Sequence, residues 1–253
     1  MKLELDAGNT RVKWRLVEEL AGPASTIIAS GAFVMAENSA AWNLRFCDVL
    51  GQLQGSTVKK ILVSNVRGDG FKSCITAHAQ SAWGLVPEFA VSVPYCAGVT
   101  NGYIEPEKLG VDRWLAILAA YDLVRSDCCI LNCGTTVTFD IVRNSGKHIG
   151  GYIMPGLRLM KDSLLAKSEA LKSRLEHSHD SLPGCDTASA INNGILMAIV
   201  GFATSMQSRT DLLSTDSVWV ISGGDGEIVH PHLHWDTHLS PSLVLDGLRL
   251  AIP

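Results

Sequence analysis

LELDAGNTRVKW, residues 3–14, reads as two strands folded about a tight turn: Leu3 and Leu5 alternate with polar neighbours before it, and Val12 and Trp14 alternate again after it. Asp6 closes the first strand, and Gly8, Asn9 and Thr10 form the turn. Aspartate and asparagine favour turns for local reasons, since their side chains hydrogen-bond nearby backbone and tolerate left-handed geometry. A second stretch bears on that bland reading. ILNCGTTVTFDIVR, residues 130–143, repeats the order of apolar strand, polar side chain, one residue, glycine, hydroxyls and alternating second strand. Gly8 matches Gly134 and Thr10 matches Thr136, each pair 126 positions apart. Glycine lets backbone N–H groups approach an anion and the hydroxyls add donors, so the repeat suits a polyphosphate held by two hairpins. Two unrelated glycine turns are the alternative.

Working outward, strand-like runs fall at 2–6, 11–18, 26–33, 60–64, 87–93, 128–132, 135–142, 147–153 and 217–221. Helical spacing appears over 39–53 and over 111–124, both read as amphipathic, with further helices over 157–176 and 186–206. Strand clusters followed by helices, twice over, predict an α/β protein of two similar halves. VWVISGGDGE, residues 218–227, adds a glycine turn at the end of a buried strand, where α/β proteins often bind nucleotides. No G-x-x-x-x-G-K-[ST] occurs, which excludes a P-loop, and GDG at 68–70 is no dinucleotide fingerprint.

Composition narrows the partners. With 253 residues and 47% hydrophobic content the chain can bury a sizeable core in one large domain or two of moderate size. The balance of 21 basic and 25 acidic side chains, net −4, has no basic run to suit nucleic acid and favours a small-molecule partner. Seven cysteines, with Cys128 and Cys129 adjacent, give neither a disulfide framework nor a zinc spacing and read as reduced cytosolic thiols. No membrane helix or export segment is recognised, so a cytoplasmic protein is expected. His230, His232, His234 and His238 fall on alternate residues, as metal ligands on one strand face would, but no acid or cysteine completes an evident set.

DAGNTRVKW at 6–14, NGYIEPEKLGVDRW at 101–114, NCGTTVTFD at 132–140, GGYIMPG at 150–156 and SGGD at 222–225 resemble the ordered motifs of the type III pantothenate kinases. LVLDGLRLA at 243–251 is similar to that family's closing segment, so the resemblance runs the length of the chain. It implies the acetate and sugar kinase/Hsp70/actin superfamily fold: two ribonuclease-H-like domains, here divided as 1–112 and 113–253, with the nucleotide in the cleft between them. The implied activity is ATP-dependent phosphorylation of pantothenate, the first step of coenzyme A biosynthesis, by a cytoplasmic homodimer.

The resemblance also distributes roles. Asp6, Ala7, Gly8, Asn9, Thr10, Arg11, Val12 and Lys13 would bind ATP with its Mg2+, Asp6 lying near the metal and phosphates, and Thr135 would be a second ATP contact. Asp112 is similar in position to the family's proton acceptor for the pantothenate hydroxyl. Gly110, Val111 and Arg113 would join it in contacting substrate, with Tyr103 lining the same pocket. Arg113 can grip a carboxylate in bidentate fashion, which is how pantothenate ends. For Asp112 and Arg113 the bland alternative is a helix-start acid with a surface ion pair. Thr187 resembles a pantothenate contact reached across a dimer interface, and could equally be a helix N-cap.

One position departs from the family pattern. Asn132 stands where the family usually carries an aspartate associated with a monovalent cation, K+ or NH4+, and the amide keeps an oxygen ligand but loses the charge. Asp140 supplies another acid nearby. Two other functions stay open: an accessory transcription-regulatory protein of the same fold, and a different sugar-kinase-like ATPase.

Overall fold

The computed structural model describes residues 1–19, 25–34, 53, 57–166 and 180–252. They form two compact units, one of Met1–Ala97, Ile104–Ala119 and Val244–Pro253, the other of Gly98–Tyr103 and Ala120–Leu243. Where the sequence reading cut the chain once, after residue 112, these units interleave.

The first unit is built on β1 (Lys2–Ala7), β2 (Arg11–Glu19), β3 (Ser25–Val34), β4 (Lys60–Asn65) and β5 (Glu88–Phe89), in the order β3-β2-β1-β4-β5. The first three strands are antiparallel neighbours, and β4 and β5 run parallel to β1. Parallel strands are covered on both faces and so read as continuous apolar runs. Ile61, Leu62 and Val63 of β4 are accordingly all buried. β5 is far shorter than the expected 87–93 run, a short sheet edge of the kind that resists further pairing.

The second unit repeats the plan. β8 (Cys128–Cys133), β9 (Thr136–Val142), β10 (His148–Pro155), β11 (Val218–Ser222) and β12 (Thr237–Leu239) lie in the order β10-β9-β8-β11-β12, with the same antiparallel and parallel pairings. Two short strands, β6 (Tyr95–Cys96) and β7 (Val99–Thr100), come before it in the chain. The hairpin duplication read from residues 3–14 and 130–143 is thus a duplication of the whole sheet.

Helix α1 (Asp69–Trp83) packs Phe71, Ile75 and Ala79 into the first core and ends on Gly84 in the left-handed conformation. Helix α2 (Val111–Val124) has the expected bounds but a different character: Arg113 through Tyr121 are buried without a break. A helix apolar all round belongs inside, so the amphipathic reading of 111–124 is corrected. Helix α3 (Leu157–Leu165) begins the run expected to residue 176, whose portion beyond 166 lies outside the described residues, as does the helix expected over 39–53 apart from Leu53.

Helix α4 (Thr187–Gln207) has the length and hydropathy to cross a membrane, which the sequence reading did not recognise. Its Ile195, Leu196, Ile199, Val200, Ala203 and Met206 are instead packed in the second core with Phe139 and Trp219. After the four-residue α5 (Gly226–Val229), α6 (Leu243–Ala251) returns to the first unit. There Arg15 Nε donates to Glu4 Oε2 at 2.5 Å and Nη1 donates to Asp246 Oδ1 at 2.5 Å. Burial pushes the Glu4 carboxyl above its ordinary value despite the Arg15 charge beside it.

Candidate active site

In the first unit the turn between β1 and β2 is where backbone and charge collect. Asp6 lies opposite Lys13 across the antiparallel pair and beside Ser64 of β4. Ala7 and Val12 close the strands with their side chains in the core, at 0% exposure, so they offer an anion only backbone groups. Between them Gly8, Asn9 and Thr10 carry no packed apolar side chain, and Arg11 begins β2 exposed. Asp112 stands in the first turn of α2, its Oδ1 accepting the Arg113 N–H at 2.8 Å, while Trp114 N–H donates to the Gly110 carbonyl. Val111 opens the helix half-buried.

The two acids sense each other. Burial first, and the charge of Asp112 second, push the Asp6 carboxyl from its ordinary 3.8 up to about 6, against the opposing pull of Lys13 and Ser64. Two carboxylates brought together in partly dehydrated surroundings are costly unless a cation joins them. That is the donor set of a hard divalent metal, which takes oxygen ligands and needs only one or two carboxylates from the protein. Arg113 itself is buried, at 4% exposure, which makes it a fixed rather than a waving cation.

The end of β4 supplies a residue that the sequence reading missed. Arg67 Nη1 donates to the carbonyls of Asn9 and, at 3.4 Å, Gly8. Its own N–H is held by Asn65 Oδ1 at 2.9 Å, and the Asn65 amide donates to the Gly68 carbonyl at 3.0 Å. A guanidinium on the carbonyl side of the turn leaves the N–H side for an anion. No local pattern announces this contact, since its partners are 58 and 59 positions apart.

The second unit brings three of the quoted motifs to one sheet end. Gly156 N–H, after β10, donates to the Thr135 carbonyl at 3.0 Å, and Asp225 N–H donates to the Cys133 carbonyl at 3.0 Å. Gly223, at φ +91°, comes so close to β8 that a Cβ would stand 2.0 Å from the Cys133 carbonyl oxygen, so no other residue fits. Gly134 and Thr135 form the turn, Thr135 exposed. Asn132 pairs with Thr138 and Ser222, the register positions matching Asp6 with Lys13 and Ser64. The Asp140 carboxylate is taken up by His148, whose Nε2 lies 3.0 Å away.

Other sequence candidates take definite places. Tyr103 sits in the second unit, its ring stacked on His148. Thr187 is the first residue of α4 rather than its cap: Asp186 caps the helix, Oδ1 accepting from Ala188 N–H at 2.8 Å and Ser189 N–H at 3.0 Å. Thr187 lines an apolar groove of about 1050 Å³ with Pro155, Met160 and Ile191. Residues 230–232 form a 3-10 turn, so the alternate histidines do not share a strand face. Burial pushes the thiols of Cys128 and Cys133 up to about 12, and that of Cys129 up as well, leaving all three inert in neutral solution.

Known proteins resemble this chain along its length. A profile of the type III pantothenate kinase family matches residues 2–209. The type III pantothenate kinase of Pseudomonas aeruginosa (strain LESB58) is 34% identical over all of this chain and 99% of its own. Among solved structures, a candidate 2-dehydro-3-deoxygalactonokinase from Sinorhizobium meliloti aligns with a TM-score of 0.59 at 13% identity, over 99% of this chain and 95% of its own. The activator of the 2-hydroxyisocaproyl-CoA dehydratase from Clostridium difficile aligns with a TM-score of 0.53 at 13% identity, over 99% and 92%. These last two likenesses are of fold, and the fold is that of the actin-like ATPases and sugar kinases.

Proposed function

The chain belongs to the type III pantothenate kinase family, and we propose that it transfers the γ-phosphoryl group of ATP to the hydroxyl of pantothenate with Asp112 as proton acceptor. The observation that carries the reading is that the Asp112 charge acts on Asp6, one acid lying on β1 just before the glycine turn and the other in the first turn of α2.

In the proposed reaction the pantothenate oxygen bonds to the γ-phosphorus as the bond from that phosphorus to the β–γ bridging oxygen breaks. ADP leaves with that electron pair, and the hydroxyl proton goes to a carboxylate oxygen of Asp112. In a loose transition state the proton leaves late, so a carboxylate suffices if it is well placed. Backbone N–H groups of the turn from Gly8 to Thr10 receive the phosphates, with Lys13 adding positive charge and Thr135 a further nucleotide contact. Gly110, Val111 and Arg113 meet pantothenate, the guanidinium taking its carboxylate. Tyr103 and Thr187 are its other contacts, Thr187 across the interface of a homodimer, for which the apolar groove beside it is the supporting feature.

Asp6 is the residue that would hold Mg2+, whose chemistry is to neutralise the polyphosphate, and an oxygen donor beside a second carboxylate fits that ion. Asn132 offers an amide oxygen to K+ or NH4+ without the charge of the family's aspartate, and no step runs through either ion. A cytoplasmic location goes with this reading.

The test is ADP release in a coupled assay with pantothenate against a panel of other hydroxyl acceptors. Asp112→Asn is expected to lower turnover by about two orders of magnitude with ATP binding nearly intact. Turnover within about threefold of the unmodified protein removes Asp112 from the mechanism.

A further inference from the structure

Asp140 and His148 are buried, at 1% and 0% exposure, and the proposed reaction uses neither. Burying a carboxylate is expensive, and apolar side chains of similar volume often stabilise as well or better. The pair therefore calls for a directional reason, and its hydrogen bonds supply one. His148 Nδ1 accepts the Gly102 N–H at 3.3 Å, so its hydrogen resides on Nε2, which donates to Asp140 Oδ1 at 3.0 Å. The carboxylate fixes the ring's tautomer and plane, and the ring's lone pair fixes the backbone at Gly102.

That backbone is laid against the approach to β10. Thr100 N–H donates to the Gly146 carbonyl at 2.9 Å, and Thr100 bridges to Lys147 in parallel fashion. A Cβ on Gly102 would stand 2.1 Å from the His148 carbonyl oxygen, so only glycine permits the approach. Asn101 Oδ1 then accepts the Tyr103 N–H at 3.0 Å, and the Tyr103 ring lies over the imidazole with centroids 6.3 Å apart and planes 15° from parallel. The imidazole thus meets this turn twice, through the Gly102 N–H and through the Tyr103 ring.

We propose that Asp140 and His148 are a positioning pair for substrate recognition, setting the turn 101–103 and with it the placement of the Tyr103 ring against pantothenate. The proposal rests on the reading that Tyr103 lines the pantothenate pocket. Small errors in substrate placement carry large kinetic penalties even when the altered residue touches no reacting atom. The pair is thus expected to govern affinity for one substrate and to leave the other untouched.

Steady-state kinetics of the full chain test this with four variants. His148→Gln keeps an acceptor for Gly102 and a donor for Asp140, whereas His148→Met fills the space with neither. The methionine protein is expected to raise the KM for pantothenate roughly tenfold or more while the KM for ATP and kcat stay within about twofold, and the glutamine protein is expected to recover most of that rise. Should the methionine protein not fold, Asp140→Asn keeps the shape, withdraws the orienting charge and is read by the same split. A pantothenate KM unchanged in a cooperatively melting variant, both KM values rising together, or glutamine faring no better than methionine overturns the proposal. Tyr103→Ala separates the two layers. If it leaves the pantothenate KM unchanged, the pocket reading fails and the pair's role with it; if it raises that KM while His148→Met does not, only the pair's role fails.

Discussion

Asp6 binds a proton more tightly than a free aspartate does, and the reason bears on both its chemistry and its cost. Burial and the neighbouring Asp112 charge raise its carboxyl to about 6. A folded-state value above the unfolded one means that the native protein takes up a proton as pH falls, so stability contributed by this site rises from about pH 6 down to about pH 4. Above that window the ionised carboxylate is held at a cost, at most about 3 kcal/mol from the size of the shift. Asp6→Asn is therefore expected to melt higher than the unmodified protein near neutral pH, with the gap closing toward about pH 4, while Mg2+-dependent turnover collapses. Melting curves at the two pH values check it. A lower midpoint for Asp6→Asn at neutral pH makes Asp6 a structural residue and withdraws the reading that its ionised form is held at a cost.

Elements carry the next layer, because each turn at the proposed nucleotide site is held by a neighbour distant in the chain. The β1–β2 turn is legible in sequence from alternation and glycine; the Arg67 guanidinium on its carbonyls is not, since nothing near Arg67 in the chain points back to Gly8 and Asn9. Helix α1 is obscure for a related reason: Phe71, Ile75 and Ala79 recur at every fourth place, but polar residues crowd between them and blur the period. Helix α2 is easy to bound and hard to orient, as a run buried on every side shows no polar face. The Arg67 contact has a kinetic consequence. Arg67→Met releases both carbonyls and is expected to raise the KM for ATP roughly tenfold, with Arg67→Lys intermediate and the KM for pantothenate within about threefold. The reverse split, with pantothenate more affected than ATP, would disconnect Arg67 from the nucleotide turn.

At the scale of the whole molecule one plan is written twice and edited at a telling place. Both sheets have the same strand order and the same mixture of pairings, and positions 6 and 132 occupy the same register in each. The repeat is legible because hairpins are local; the matching of Ser64 with Ser222 beside them is not, as parallel partners are joined through long connections. The edit is the charge, aspartate in the first copy and asparagine in the second. An amide keeps a dipole but surrenders the unit charge that offsets a cation's dehydration, and Asp140, the nearby acid, is engaged with His148. Rates in potassium, ammonium and sodium chloride at equal ionic strength are therefore expected to agree within about twofold, and Asn132→Asp is expected to introduce a preference among them. Strong activation of the unmodified protein by potassium would mean that backbone and hydroxyl oxygens suffice to bind the ion, and that the charge difference between the two copies serves some other end.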